Sequence, residues 1–291
     1  MFDRILVVDW SAANAPRTGA DAIWIADSHA PGAPRNVPTR TEAMCLIRAA
    51  LREATAERQT FVGLDFAFGY PKGSDALPGG GAWEAVWSWL DANVVDGQTN
   101  ASNRFECARR LNEPFGGAGP FWGYPHQHHG RYGALPFRRP DYAALGVRER
   151  RHVDTLARAA SPPWKLSGNG SVGGQALLGI ARLEGLRAEF GRAVAVWPFQ
   201  TRFADDLAAP VVVAEIYPSL WERDRTLHAV KDAQQVETLL RGFTRYRDAG
   251  RFEALLDGPR RQPSGVREAA LTHEAWMVGF ADAPLPLRPD A

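Results

Sequence analysis

The stretch Arg4-Ile-Leu-Val-Val-Asp9 decides the fold class, because it is a continuous apolar run that ends in an acid. A strand that is buried on both faces gives such an unbroken run, so this stretch predicts a central strand of a sheet covered on both sides. The same pattern recurs in Thr60-Phe-Val-Gly-Leu-Asp65 and in Val211-Val-Val-Ala-Glu215. The sequence therefore predicts three buried strands, each with a carboxylate at its C-terminal end.

The order of the remaining elements indicates the kind of sheet. Short runs at residues 22–26 and 35–38 follow the first strand closely and predict antiparallel neighbours. Thr41 is predicted to cap a helix that extends to about residue 57. Regular patterns return after residue 171, with a strand at 194–197 and helices at about 172–190, 230–256 and 265–280. An antiparallel start followed by helix-linked strands predicts an α/β protein with a mixed central sheet and helices on both faces.

Regular patterns are sparse between about residues 70 and 170, where glycine and proline concentrate. Three short helices are predicted there, near residues 83–90, 104–111 and 148–159. The segment is also rich in tryptophan, tyrosine and phenylalanine, which predicts that it packs instead of remaining disordered. We therefore expect a single domain over residues 1–291 that carries one large aromatic and Gly/Pro-rich insertion.

The charge balance and the cysteine content limit the partners and the compartment. Lys and Arg number 34 against 33 Asp and Glu, so a net charge of +1 gives no global attraction to a polyanion or an anionic membrane. The 2 cysteines are too few for a disulfide framework. No signal-peptide pattern or apolar run of membrane-spanning length is apparent. We expect a cytoplasmic protein with no membrane partner.

The three strand-end acids, Asp9, Asp65 and Glu215, are the main candidates for chemistry. Strand ends in open α/β sheets line the ligand crevice, where neighbouring carboxylates repel one another unless a cation lies between them. Mg²⁺ or Mn²⁺ is the expected ion, because both prefer oxygen ligands. Alternatively, each acid caps a helix or pairs with an arginine. Asp232 is a candidate fourth ligand, or only a first-turn acid that the helix dipole favours.

Several other residues are candidates for substrate binding. Lys165 precedes a glycine-rich entry into a helix, Ser167-Gly-Asn-Gly-Ser171, which is either a phosphate-binding loop or a simple turn. Trp122 and Tyr124 either stack on a base or belong to the core of the insertion. The histidines of the nearby loop, His126, His128 and His129, lack the further ligands that zinc needs, and an exposed or substrate-facing loop is the expectation.

Three motifs, taken together, resemble a known family. They are Val8-Asp9-Trp-Ser11, Gly63-Leu-Asp65-Phe, and Ala214-Glu215-Ile-Tyr-Pro-Ser219 followed by Asp232-Ala. They look like the ribonuclease-H-like family of predicted nucleases catalogued as domain of unknown function 429. The resemblance covers residues 1–70 and 170–280 and leaves the insertion outside. Residues 165–175 and 196–199 are similar to a subgroup often labelled a molybdopterin-guanine dinucleotide synthesis protein.

The resemblance implies a ribonuclease-H-like fold and a metal-dependent nuclease or phosphodiesterase. Asp9, Asp65, Glu215 and Asp232 would be the catalytic metal carboxylates of a two-ion site with ions about 4 Å apart. Ser11, in the first motif, would contact substrate. The near-neutral charge favours a small or single-stranded nucleic acid or nucleotide over long duplex.

Two other functions remain open from the sequence. One is a non-catalytic binding or scaffold protein on the same fold, with its acids paired to arginines. The other is a protein linked to molybdenum-cofactor nucleotide metabolism. A phosphotransferase of the actin-like type is disfavoured, because that fold needs a duplicated core and the chain shows one copy.

Overall fold

The computed structural model describes residues 2–157 and 159–288. Within these ranges the chain forms one mixed six-stranded sheet and seven α-helices. The strands are β1 (Arg4–Asp9), β2 (Ile23–Asp27), β3 (Arg35–Val37), β4 (Thr60–Leu64), β5 (Val194–Val196) and β6 (Val211–Glu215). The helices are α1 (Arg40–Arg52), α2 (Trp83–Asn93), α3 (Arg104–Asn112), α4 (His152–Leu156), α5 (Gly173–Phe190), α6 (Lys231–Asp248) and α7 (Ser264–Ala269). The α/β class predicted from the sequence is confirmed.

The strand order is β3-β2-β1-β4-β6-β5. The pairs β1–β2 and β2–β3 are antiparallel, whereas β1–β4, β4–β6 and β6–β5 are parallel. The first three strands therefore form the predicted antiparallel meander, and the helix-linked strands extend the sheet from the other side of β1. This order places β1 and β4 side by side at its centre.

Two apolar clusters cover the two faces of the sheet, because alternate strand residues point to opposite sides. One face of β1 and β4 packs with α1, α2 and α5. The other face packs with α6 and the chain that follows it. None of the helices in the described ranges combines the length and the apolar composition that a bilayer crossing requires.

The long segment between β4 and α5 packs onto the first of these clusters. Trp87, Phe121 and Trp164 are each fully buried. The ring of Tyr70 stacks on Trp164 with centroids 4.9 Å apart, and Phe121 meets the same ring edge-on at 5.0 Å. The aromatic content of the insertion is thus used for packing, as the sequence predicted.

Several predicted helix boundaries are wrong. Thr39, not Thr41, is the N-cap of α1: it is extended, and its side chain accepts from the backbone N–H of Glu42 at 3.1 Å. The helix also ends earlier, at Arg52. The pattern at residues 148–159 yields only the short helix α4, because the buried side chains there serve an ion-pair network described below.

Candidate functional site

Asp9 and Asp65 lie side by side at the centre of the sheet. Val8 of β1 aligns with Leu64 of β4, and Asp9 and Asp65 are the next residues along the chain. The backbone N–H of Asp65 continues the ladder by donating to the carbonyl oxygen of Val8 at 3.0 Å. Two parallel strands of the same register thus bring the two carboxylates together, as the sequence predicted.

The two carboxylates are partly buried, and neither has a hydrogen-bond or ion-pair partner among the described residues. Burial raises the pKa of Asp65 to about 7, and the charges of Glu215 and Asp232 act in the same direction. The pKa of Asp9 also lies well above its usual range, first through burial and then through the charges of Asp65 and Asp232, which Lys231 only partly offsets. The ionised forms of both carboxylates are therefore disfavoured, because no contact with a cation or a hydrogen-bond donor in the described part of the chain compensates their negative charge.

Asp232, far from Asp9 and Asp65 in the sequence, lies next to them in the structure. It stands in the first turn of α6, and its side chain is 9% exposed. Its Oδ2 accepts a hydrogen bond from the backbone N–H of Asp21 at 2.7 Å. Asp232 is thus a first-turn helix acid and also a neighbour of Asp9 and Asp65. Its position is compatible with both interpretations of the sequence, a fourth metal ligand and an acid that the helix dipole favours.

Asp9, Asp65 and Asp232 open into one cleft of about 540 Å³. Ser11, predicted as a substrate contact, also lines it, and its Oγ donates to the carbonyl oxygen of Asp21 at 3.1 Å. The other walls come from the glycine-rich loop, the start of α5 and the start of α6. Their main polar members are Ser167, Asn169, Ser171, Gln175, Lys231 and Gln235.

Glu215 has a different environment from the other three acids. It aligns with Leu64, which itself aligns with Val8, so it occupies the sheet row before Asp9 and Asp65. Because successive side chains alternate between faces, Glu215 points to the other side of the sheet. It is 2% exposed, and both carboxylate oxygens accept from Arg151 at 2.7 Å. The role of Glu215 as a metal ligand stays a prediction, which this geometry does not favour.

The predicted substrate contacts of the insertion lie beside the cleft and not in its described walls. The Lys165 ammonium donates to the Asn169 carbonyl oxygen at 2.5 Å and lies 5.5 Å from the centre of the Trp122 ring. Tyr124 is 6% exposed and packs edge-on against Tyr132 and other aromatic rings. These contacts match the alternative in which the residues build the insertion itself.

The histidine loop is separate from the strand-end acids. His126 and His129 are exposed, with ring centroids 6.1 Å apart. Across residues 2–157 and 159–288, no three His, Cys, Asp or Glu side chains are arranged so that they could hold a metal ion together.

Two residues of the cleft were not singled out in the sequence. The Gln175 side chain donates to the carbonyl oxygen of Trp10 at 2.5 Å, which ties the start of α5 to the residue after Asp9. Arg104, at the start of α3, is 8% exposed and lines the same cleft. Its position depends on packing across 90 residues against Asn14, a contact that no local pattern reveals.

No protein-family model, curated protein or solved structure matches this chain.

Proposed function

We propose that this protein is a divalent-metal-dependent phosphodiesterase or nuclease of the ribonuclease-H-like class, in which Asp9 and Asp65 bind the cation. The observation that carries the proposal is the pair of adjacent carboxylates without a compensating partner among the described residues. An antiparallel β1–β3 meander continued by parallel strands supports the fold assignment. The family resemblance of the three acidic motifs is consistent with the proposed cation site and with the fold assignment.

The donor set of the cleft fits Mg²⁺ or Mn²⁺. Mg²⁺ is commonly bound by one or two carboxylates, with waters and substrate phosphates as the remaining ligands. Asp9 and Asp65 supply such a pair, and Asp232 stands close enough to raise the pKa of both. No soft ligand is needed, and the oxygen-only donor set disfavours zinc.

The chemistry follows from what each side chain can hold or move. A bound divalent ion would activate a water molecule and stabilise the leaving oxygen of a phosphodiester. Asp9 and Asp65 must be ionised to bind the ion, so near neutral pH Asp65 exchanges its proton for the cation. Asp232, held by the Asp21 N–H group, is placed to orient a water molecule. Ser11, held by the Asp21 carbonyl group, forms the cleft wall beside Asp9.

The substrate is proposed to be small or single-stranded. A net charge of +1 provides no broad basic face for long duplex. The cleft volume of about 540 Å³ lies in the range of small-molecule sites, which suits a nucleotide or the end of a strand.

Titration calorimetry with Mn²⁺ tests the proposal on the full chain, with a phosphodiester cleavage assay on a short single-stranded oligonucleotide in parallel. We expect micromolar binding in the wild type, and loss of both binding and cleavage in Asp9→Asn and in Asp65→Asn. Asp248→Asn, at the exposed C-terminal end of α6, is the matched control and should retain both. Absence of Mn²⁺ binding in the folded wild type would contradict the proposal.

A non-catalytic scaffold is the second candidate, and the Glu215–Arg151 pair is the observation that favours it. A fold used only for recognition would have its strand-end acids neutralised, as Glu215 is. Asp9 and Asp65 depart from that expectation. The same titration separates the two functions, because a scaffold would bind no Mn²⁺ through these residues.

A further inference from the structure

Arg104 is a buried cation for which the described residues provide no carboxylate in contact. It is 8% exposed, and its Nη1 donates to the neutral acceptors Asn14 Oδ1 and Ser102 Oγ. Its Nε is buried and has no hydrogen-bond partner among the described residues. Burial, with a smaller contribution from Arg40, lowers the pKa of Arg104 to about 10. A buried guanidinium in this state is stabilised by any anion that reaches it.

The first turn of α5 lies against this guanidinium. The backbone N–H groups of Gly173 and Ala176 donate to the carbonyl oxygens of Lys165 and Val172. The backbone N–H groups of Gly174 and Gln175, between them, have no acceptor within the described ranges. These free donors add to the positive end of the dipole of an 18-residue helix.

Glycine at position 174 allows the Arg104 side chain and the first turn of α5 to lie in contact. A Cβ atom there would lie 3.4 Å from both Cδ and Nε of Arg104 and 3.3 Å from the Cβ of Ala12. The absent side chain therefore lets the first turn of α5 pack directly against Cδ and Nε of Arg104. Both Gly174 and Arg104 line the cleft that contains Asp9 and Asp65.

We propose that Arg104 and the first turn of α5 form an anion subsite that binds a phosphate group of a nucleotide-sized phosphate ester. The inference rests on the proposed function for the reaction that follows, but the binding of phosphate stands on its own observations. Gln175, bonded to the carbonyl oxygen of Trp10, fixes the subsite next to the strand-end acids. The subsite would hold one phosphate group while the scissile bond lies at Asp9 and Asp65.

The planar guanidinium is suited to this role. Arginine binds phosphate through two parallel hydrogen bonds, which a lysine ammonium cannot reproduce. Lys165, which the sequence indicated as the phosphate contact, directs its ammonium at the Asn169 carbonyl group instead. The cation at the subsite is thus Arg104, which comes from the insertion.

Titration calorimetry with inorganic phosphate, in chloride buffer with EDTA, tests the subsite on the full chain. We expect wild-type binding to weaken about tenfold in Arg104→Gln, since a hydrogen bond to a charged group contributes on the order of a factor of ten. Arg104→Lys should restore part of the affinity. Arg109→Gln is the matched control on the same helix, because Arg109 pairs with Glu106 and Glu113. It should bind phosphate like the wild type.

Gly174→Ala is the second variant, for use if Arg104→Gln does not fold. It keeps the charge but inserts a methyl group between the first turn of α5 and the Arg104 side chain. Because this separates the two parts of the subsite, phosphate binding should weaken. Absence of phosphate binding in the wild type, or equal binding in Arg104→Gln or Gly174→Ala, would overturn the subsite. Asp9→Asn must still bind phosphate without metal, so loss of Mn²⁺ binding alone overturns only the proposed function.

Discussion

Arg151 binds Glu215 through two parallel hydrogen bonds, from Nη1 to Oε2 and from Nη2 to Oε1, each 2.7 Å long. The same guanidinium holds Asp154 at 2.8 Å and the carbonyl oxygen of Glu274 at 2.9 Å. All three charged side chains are at most 3% exposed. One cation thereby joins the end of the insertion to β6 and to the C-terminal segment.

Loss of Arg151 should destabilise the protein strongly. Arg151→Gln leaves Glu215 and Asp154 buried without a cation, and breaking a buried ion pair on one side costs about 3–5 kcal/mol. Urea unfolding measures the change. Arg139→Gln is the control, because Arg139 pairs with Glu149 on the surface, where such a pair contributes at most about 1 kcal/mol. Equal effects of the two substitutions would show that the buried network does not stabilise the fold.

Glu215→Gln separates a structural acid from a metal ligand. We expect the free energy of unfolding to fall by about 2–4 kcal/mol, because the amide leaves the charge of Arg151 undercompensated. The Mn²⁺ affinity, measured by calorimetry below the unfolding transition, should stay within about threefold of the wild type, since Glu215 faces away from the cleft. Loss of Mn²⁺ binding equal to that of Asp9→Asn would instead establish Glu215 as a ligand.

The close packing of Gly179 in α5 against Phe66 gives a third prediction. A Cβ at Gly179 would lie 2.5 Å from the ring of Phe66, which is buried against Trp10 and Phe68. Gly179→Ala should therefore lower the free energy of unfolding by about 1–3 kcal/mol through overpacking.

Gly185→Ala on the same helix is the control for this prediction. Its Cβ would meet only Asp91 Oδ1, at 3.4 Å. We expect a gain of roughly 0.5–1 kcal/mol from the better helix propensity of alanine. Thermal unfolding of both variants checks the signs, and a stabilised Gly179→Ala would contradict the packing described here.

The sequence predicted the strands well, because an apolar run of five residues between turn residues leaves few alternatives. It predicted the convergence of Asp9 and Asp65 for the same reason. It did not reveal that Glu215 ends its strand one row earlier, since the register between β4 and β6 depends on long-range pairing. That single-residue offset moves Glu215 to the other face of the sheet.

The insertion also contains features that depend on long-range contacts and could not be predicted from the sequence. Composition predicted that its aromatic residues pack, and they do. Which polar residue of the insertion reaches the cleft was not predictable, because Arg104 is placed by contacts with Asn14 and with the first turn of α5, far away in sequence. Lys165 was the obvious choice from its position before the glycines, yet its ammonium binds a carbonyl group of its own loop.

The raised pKa of Asp65 predicts how stability changes with pH in the absence of divalent ions. An unfolded aspartate titrates near pH 4, whereas burial raises the pKa of folded Asp65 to about 7. Between these values the unfolded chain releases the proton that the folded chain retains, so the free energy of unfolding falls as the pH rises from about 4 to 7. Asp65→Asn removes this proton.

Asp65→Asn should therefore match the wild type near pH 4 and exceed it by about 4 kcal/mol at pH 8, because each of the roughly three pKa units contributes about 1.4 kcal/mol. Urea unfolding in EDTA measures the difference. Asp27→Asn is the control of opposite sign. Although burial acts to raise it, hydrogen bonds from Arg4 lower the pKa of Asp27. That variant should be less stable than the wild type at pH 7, with the difference vanishing in acid. A pH-independent difference for Asp65→Asn would show that its carboxylate is not destabilised by burial, and would remove the electrostatic support for a cation between Asp9 and Asp65.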